Sequence, residues 1–354
     1  QYQAHRARKF LPDDHGLPVL LAAQAARLQG DEHTAAESFA LLLENPDTAF
    51  LGIRGLLQNA LEDHDYERAR VLAEKALALH PKQKWILKIV YDLQIRARDF
   101  DAAILTLYRA EKAGAITPER AVSDRIVMLL MQAENDMQSG PSTAGIKKLE
   151  KAYSYDKSFI PTVLALGRAY IARGNRHKAV KIIEKAWKVN THPDLVDLWQ
   201  EAMPESKKDS KSEILKWFDR LLHVKPDSAE GHMAVAKAAI EAGLWGEARD
   251  HLKKAEVIRP SARLYKFFAE LEDKSTKDEI AIRHWLSMAA DAPQDRLWVC
   301  TETGHVYNAW HPIAEPHGSF NTIVWDFPAS AEHALLLDYV LEAGNAVVLE
   351  APKE

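Results

Sequence analysis

The chain has 354 residues, of which 47% are hydrophobic and 27% charged, and its formal net charge is −5. These values exclude an intrinsically disordered chain and any global electrostatic drive toward nucleic acid or anionic lipid. The single cysteine, Cys300, excludes an intramolecular disulfide framework. No apolar stretch approaches the roughly 18–20 residues of a membrane span; the longest, IVMLLM, covers only residues 126–131.

In chain order, residues 1–14 read as the second helix of a repeat whose first helix would lie upstream, because Ala7 and Pro12 fall where such a helix ends. From residue 15 a period becomes visible. Ala35, Ala69 and Ala103 are spaced 34 and 34 residues apart, each inside an amphipathic stretch. The pattern resumes at Gly145, Ala179, Ile214, Ala248 and Ala281, and the interval from 103 to 145 is one repeat with about eight inserted residues. Each unit reads as two helices separated by a Gly or polar turn, as at Gly30, Gly174 and Gly243. In the second helix a small residue is followed by an apolar residue four positions on and a small one three further. Ala179, Ile183 and Ala186 are one such set and Ala248, Leu252 and Ala255 another, all on one helical face. Pro81, Pro226, Pro260 and Pro293 lie twelve residues after the small position, where they stop the helix. Thr117-Pro118 reads as a helix start, and Ser210 with Glu213 and Thr276 with Glu279 have capping-box spacing.

The stretch LALGRAYIARGNRHKAVKIIEKA places Leu166, Gly167, Tyr170, Gly174, Ala179 and Ala186 as a tetratricopeptide repeat does. Residues 15–293 thus resemble a tetratricopeptide array. The expected fold class is all-α: a helical solenoid, or superhelix, of about eight helix hairpins, followed by a small C-terminal β-rich module. First helices of such arrays line a concave face that binds protein segments. The register assigns Arg27, Arg54, Gln58, Trp85, Lys88, Asp92, Arg96, Arg168 and Lys237 to that groove. Cations predominate among them in a chain that is acidic overall. This suits an acidic or carboxylate-ended segment, since guanidinium forks pair with carboxylates, but an ordinary solvated helix face would look the same.

Motifs of catalysis are missing: no G-x-S-x-G, P-loop, G-x-G-x-x-G or H-E-x-x-H occurs, and the chain reads as a non-enzyme. Most of the fifteen histidines fall at helix ends and turns, among them His33, His64, His80, His177 and His192. His232, His251 and His284 lie within helices, where a metal or tetrapyrrole iron could be bound, yet no spacing singles one out. The tryptophans at 187, 199, 217, 245 and 285 sit at helical positions and read as interhelix packing.

Three stretches go beyond generic repeats: LPVLLAAQAARLQGD at 17–31, DTAFLGIRGLLQNALEDHDYERARVLAEKAL at 47–77 and GLWGEARDHLKKA at 243–255. They resemble the bacterial HemY family of membrane-anchored tetratricopeptide proteins, with FLGIRGLL the most specific block. The resemblance covers residues 1 to about 327. It implies a missing N-terminal membrane anchor, a repeat domain on the cytoplasmic side of the inner membrane, and a link to a late step of protohaem biosynthesis without an enzymatic activity. The implied partners are proteins, haem-pathway enzymes among them. Two alternatives remain open: an adaptor presenting a membrane protein to a protease, as in the related lipopolysaccharide-assembly regulators, and a haem or porphyrin carrier.

Those regulators carry a rubredoxin-like module with paired Cys-x-x-Cys-Gly knuckles. Residues 294–327 resemble a degenerate copy, in which the four ligand positions hold Cys300, Thr303, Ala314 and His317. A closed zinc site requires four N or S donors, so no zinc and no other cofactor is expected. The framework residues Trp298, Gly304, Trp310, Pro312, Gly318, Phe320 and Trp325 remain. They suggest a module held by aromatic packing that caps the apolar end of the array. Residues 328–354 read as one more amphipathic helix, over 330–344, and a tail.

Overall fold

The computed structural model describes residues 16–328. The expected terminal helices, within 1–14 and over 330–344, lie outside the described residues. The chain divides into two compact units at Arg125/Ile126, and the helices follow one another as antiparallel hairpins of a tetratricopeptide-like, all-α fold.

The first unit holds α1 (Gly16–Leu28), α2 (Glu32–Leu41), α3 (Pro46–Glu62), α4 (Tyr66–Leu79), α5 (Lys84–Arg96) and α6 (Phe100–Lys112). The division falls within α7 (Pro118–Asp136). Ala35, Ala69 and Ala103 are each 0% exposed, as their repeating position requires. Asp31, Asp65 and Asp99, also 34 apart, cap α2, α4 and α6 by accepting from the N–H of Thr34, Arg68 and Ala102. The FLGIRGLL block has a physical reason. A Cβ on Gly55 would sit 2.3 Å from the Phe39 ring and one on Gly52 2.6 Å from the Phe39 carbonyl, so α3 closes on α2 only with glycines there.

The second unit continues with α8 (Thr143–Tyr155), α9 (Ile160–Ala172), α10 (Arg176–Val189), α11 (Pro193–Glu201) and the single turn α12 (Glu205–Lys208). It goes on through α13 (Lys211–Val224), α14 (Ala229–Ala242), α15 (Trp245–Ile258), α16 (Ala262–Ser275) and α17 (Glu279–Asp291). The inserted residues between the third and fourth repeats lengthen α7, at 19 residues the longest helix described, and its following turn. Helices α4, α13, α15 and α17 each end two residues before the proline expected to stop them. Ala179 and Ala248 are 0% exposed, whereas Ile214 and Ala281, in the weaker copies, are only half-buried.

Two starts test the capping expectations. Ser210 accepts from Glu213 N–H at α13, as its spacing suggests. At α17 the cap is instead Asp278, which accepts from the N–H of Ile280 and Ala281, while Thr276 ends α16 with its hydroxyl donating to the Glu272 carbonyl. The carboxylate reaches two orphan donors at once, which the hydroxyl two residues earlier cannot do.

Tryptophans do pack between helices. Trp199 on α11 and Trp217 on α13 stack with centroids 4.7 Å apart, and each indole N–H donates to the other residue's carbonyl at 2.9 Å. This reciprocal clasp satisfies both buried donors and joins a nine-residue helix to its partner.

A small antiparallel module follows: β1 (Leu297–Cys300), β2 (Val306–Tyr307), β3 (Ile313–Ala314), β4 (Ser319–Phe320) and β5 (Ile323–Asp326). Strand β1 lies between β2 and β5, with Trp298 opposite Trp325, and β3 pairs with β4. Two knuckles match in form. Gly304 N–H donates to the Cys300 carbonyl and Gly318 N–H to the Ala314 carbonyl, both at 2.9 Å, and both glycines have positive φ.

The module does not cap the end of the array. The outer residues Ile280, Leu286 and Met288 of α17 stay exposed. The module packs instead at the N-terminal ends of first helices. The Trp310 ring meets Phe159, the residue before α9, edge-on at 5.6 Å, and Trp298 and Trp325 enclose His192, the residue before α11, at 5.1 and 4.1 Å.

Candidate functional site

Every groove residue expected from the register lies on a first helix: Arg27 on α1, Arg54 and Gln58 on α3, Trp85, Lys88, Asp92 and Arg96 on α5, Arg168 on α9 and Lys237 on α14. Their surroundings differ sharply between the two units.

In the first unit two of the four expected cations rest on aromatic rings. The Arg54 guanidinium lies 5.4 Å from the Trp85 ring centroid and that of Arg96 lies 4.9 Å from Tyr66. Trp85 is itself half-buried beside Phe50. Gln58 is occupied by its own helix, donating to Glu62 at 2.7 Å. Arg27 stands apart from this group on α1, half-buried. Lys88 and Asp92 line a cavity of ≈ 330 Å³ with Tyr91, Thr117, Arg120 and Asp124. Asp124 is 1% exposed; it accepts from the Tyr91 hydroxyl at 2.8 Å and from Arg120 Nε at 2.9 Å. Desolvation, with Asp124 adding repulsion, pushes the Tyr91 phenol well above its ordinary range.

Asp92 reaches solvent, yet the concave wall around it excludes much of its water. Burial, opposed by Arg96 and reinforced by Asp124, pushes its carboxyl up to about 6. Sequence reasoning missed Tyr91, Arg120 and Asp124. Their signal was an Arg and an Asp four residues apart at the start of a helix, with a Tyr one repeat earlier.

In the second unit the two expected cations face carboxylates. Arg168 Nε lies 3.3 Å from Glu201 and Lys237 Nζ 4.0 Å from Asp197. A cavity of ≈ 500 Å³ beside them is lined by Asp197, Glu201 and Glu241 against Lys208. Asp194 nearby is raised by burial and by Asp197. This surface is acidic, and Arg168 and Lys237 are already neutralised.

Of the three histidines singled out as lying within helices, two meet. His232 Nδ1 and His251 Nδ1 are 3.0 Å apart and share a hydrogen bond. Desolvation holds both below the ordinary imidazole range. His284 packs beside Trp285 instead.

In the ribbon the donor set is incomplete. Of the four ligand positions, Thr303 and Ala314 offer no metal-binding group of the required kind, and Ala314 is 0% exposed. Cys300 is buried with its Sγ 3.4 Å from the Thr322 hydroxyl. Burial raises its thiol, but hydrogen bonds from Thr303 and Thr322 prevail and the net shift is downward. Among the described residues no three of His, Cys, Asp or Glu gather as a metal-binding group. The four positions of this sequence do not fit a tetrahedral zinc.

The fold defines a tetratricopeptide-type helical-repeat protein. No family model matches the chain. It is 27% identical over 247 residues, 70% of its length, to the probable magnetosome protein Mms48 of Magnetospirillum gryphiswaldense, and it spans about half (54%) of that relative. Among solved structures it is similar to MamA, at 21% identity and a TM-score of 0.29, covering 46% of this chain and 91% of that one. It is also similar to the C-terminal part of a TPR repeat-containing protein from Cytophaga hutchinsonii, at 15% identity and a TM-score of 0.36, covering 69% and 95%. Among the described residues no helix is long and apolar enough to cross a membrane.

Proposed function

We propose that this chain is a non-catalytic interaction scaffold whose first unit docks an extended acidic or carboxylate-ended protein segment. The observation that carries this reading is the placement of Arg54 and Arg96 on aromatic rings, with no carboxylate in salt-bridge reach among the described residues. Guanidiniums so held are pre-oriented, and their charge is offset only in part, that of Arg96 by the neighbouring Asp92. Lys88 adds a third cation, and burial raises the Asp92 carboxyl beside it to about 6, so it takes up its proton as pH falls below neutrality.

The resemblance to HemY proteins supports a setting at the bacterial inner membrane, in the assembly of late haem-pathway enzymes. The relative described as a probable magnetosome protein supports a second setting, an assembly on a magnetosome-like membrane. Crosslinking in cells, followed by capture of this chain and partner identification, separates them. Recovery of haem-pathway enzymes supports the first and recovery of magnetosome-type proteins the second. Loss of the recovered partner from a variant with Arg54 and Lys88 reversed to Glu ties either to the groove; unchanged recovery overturns the groove reading.

The carrier reading is placed behind the scaffold reading: the His232–His251 bond engages Nδ1 of each ring and leaves Nε2 of both, the usual iron ligand, outside that bond. A haem titration giving a defined Soret shift abolished by H232A would restore it. The ribbon is proposed to be metal-free and held by its rings; about one zinc per chain in metal analysis would overturn this.

A further inference from the structure

In the second unit the first turns of α11, α14 and α16 meet β1 and β5 around a cavity of ≈ 510 Å³. Its walls carry five cations, Lys225, Arg259, Arg263, Lys266 and Arg296, against the carboxylates of Asp227, Glu230 and Asp295. That balance is the reverse of the whole chain's −5.

The carboxylates are largely committed. Glu230 is paired with the Arg263 guanidinium, and Asp295 accepts from the Arg263 backbone N–H at 2.9 Å. Asp227 sits at the rim, exposed. Arg259 and Arg296 have no carboxylate partner among the described residues. Both guanidiniums lie over one ring, that of Phe327, at 4.5 and 5.2 Å. Two like charges beside one ring repel, and the ring offsets only about 0.5–1 kcal/mol for each where water has access. In addition, Arg259 Nη2 and Arg263 Nε are buried donors without an acceptor among the described residues. Such donors are costly unless an acceptor reaches them.

The backbone adds charge of the same sign. Pro193, Ala229 and Glu230 lie in the first turns of α11 and α14, and Ser261 and Arg263 at the start of α16. The positive ends of three helices therefore border the cavity. The start of α16 already holds one carboxylate, that of Asp295. Between the charged groups the lining is apolar: Met233, Ile258, Leu297 and Trp325.

We propose that this cleft binds a small organic anion with two acidic oxyanion groups, phosphate or carboxylate, held by Arg259 and Arg296. Its apolar body lies against Leu297 and Trp325. The volume is that of a small-molecule site. Paired guanidiniums recognise planar or tetrahedral oxyanions through forked hydrogen bonds, which lysines alone do not provide. This site is separate from the groove of the first unit, and neither reading depends on the other.

Isothermal titration calorimetry on the whole chain, with sodium pyrophosphate and with citrate at matched ionic strength, tests the proposal. One saturable site in the sub-millimolar range is expected for at least one probe. Pyrophosphate binding tighter than citrate identifies phosphate chemistry, and the reverse identifies carboxylate chemistry. R259Q/R296Q should weaken binding at least tenfold, while K185Q, an exposed lysine of α10 outside the cleft, should leave it unchanged. R259K/R296K keeps the charge and removes the fork, so it should lose at least threefold; it also decides the matter if the Gln variant does not fold by circular dichroism. Absence of saturable binding to either probe, affinity unchanged in the folded Arg variants, or an equal loss in K185Q would each overturn the site.

Discussion

The first helices of the two units occupy the same place in the repeat and present different chemistry. In the first unit Arg54 and Arg96 lie on rings; in the second, Arg168 and Lys237 lie against Glu201 and Asp197. Repeat position therefore determines which residues lie on first helices, and the neighbouring hairpin determines whether their charge is available. A cation on an aromatic face keeps its net charge for a partner, whereas one beside a carboxylate does not.

The largest way to sharpen this contrast is to remove the acid that anchors each surface. Asp124 is buried and bonded to the buried Tyr91 and to the exposed Arg120, so D124A should destabilise the first unit by about 1–3 kcal/mol, because it leaves the Tyr91 hydroxyl without its acceptor. E201A in the second unit removes an exposed pair and should change stability by less than about 1 kcal/mol. Native-state hydrogen exchange reads each unit separately; equal effects would break the comparison.

Acid should act oppositely on the two units. Burial, with a contribution from Arg263, lowers the His192 imidazole from 6.5 to about 3. Between those values only the unfolded chain takes up the proton. The stability that His192 supplies is thus complete above pH 6.5 and lost as pH falls toward 3. About 2–3 kcal/mol should be gone by pH 4.5. H192N keeps a side-chain acceptor for the Asp194 N–H and should flatten the pH dependence of second-unit unfolding followed by near-UV circular dichroism. The pair His232 and His251, shifted in the same direction, leaves a residual slope.

Asp92 runs the other way. Its carboxyl, raised from 3.8 to about 6, holds its proton longer in the folded chain, so its contribution to stability is greatest below 3.8 and is lost as pH rises through 6. Protonation also makes the groove more cationic. Binding of an acidic peptide, measured by fluorescence anisotropy, should tighten roughly two- to fivefold from pH 7.5 to 5, and D92N should remove that dependence.

The smallest effects concern the turns. Six first helices are followed within two residues by a residue of positive φ, Gly30, Gly174 and Gly243 but also His64, Arg98 and Lys277. R98G and K277G should each stabilise the chain by about 0.5–1 kcal/mol in thermal unfolding, since a side chain there is strained in the left-handed region. A loss on substitution would show that those side chains make compensating contacts.

The hairpins were legible because their determinants are local. A small residue every 34 positions, a proline twelve later and the glycine turns all act within one or two helices, and the structure places Ala35, Ala69, Ala103, Ala179 and Ala248 at full burial. The aspartate caps at 31, 65 and 99 had the same period and could have been read. The candidate groove was legible in part: the register named Arg54, Trp85, Lys88 and Asp92, but the cavity beside them is completed by Tyr91, Arg120 and Asp124.

The sequence by itself determined the helical repeat, its period and which residues fall on first helices, because each follows from spacing along one chain segment. Only the tertiary structure decided which groove cations are free and which are spent on carboxylates. It alone decided that the ribbon encloses His192 at a helix start instead of covering α17, and that Arg259 and Arg296 share the Phe327 ring. Those outcomes depend on pairs of side chains from different segments, where a shift of a few ångströms separates a screened charge from an open one.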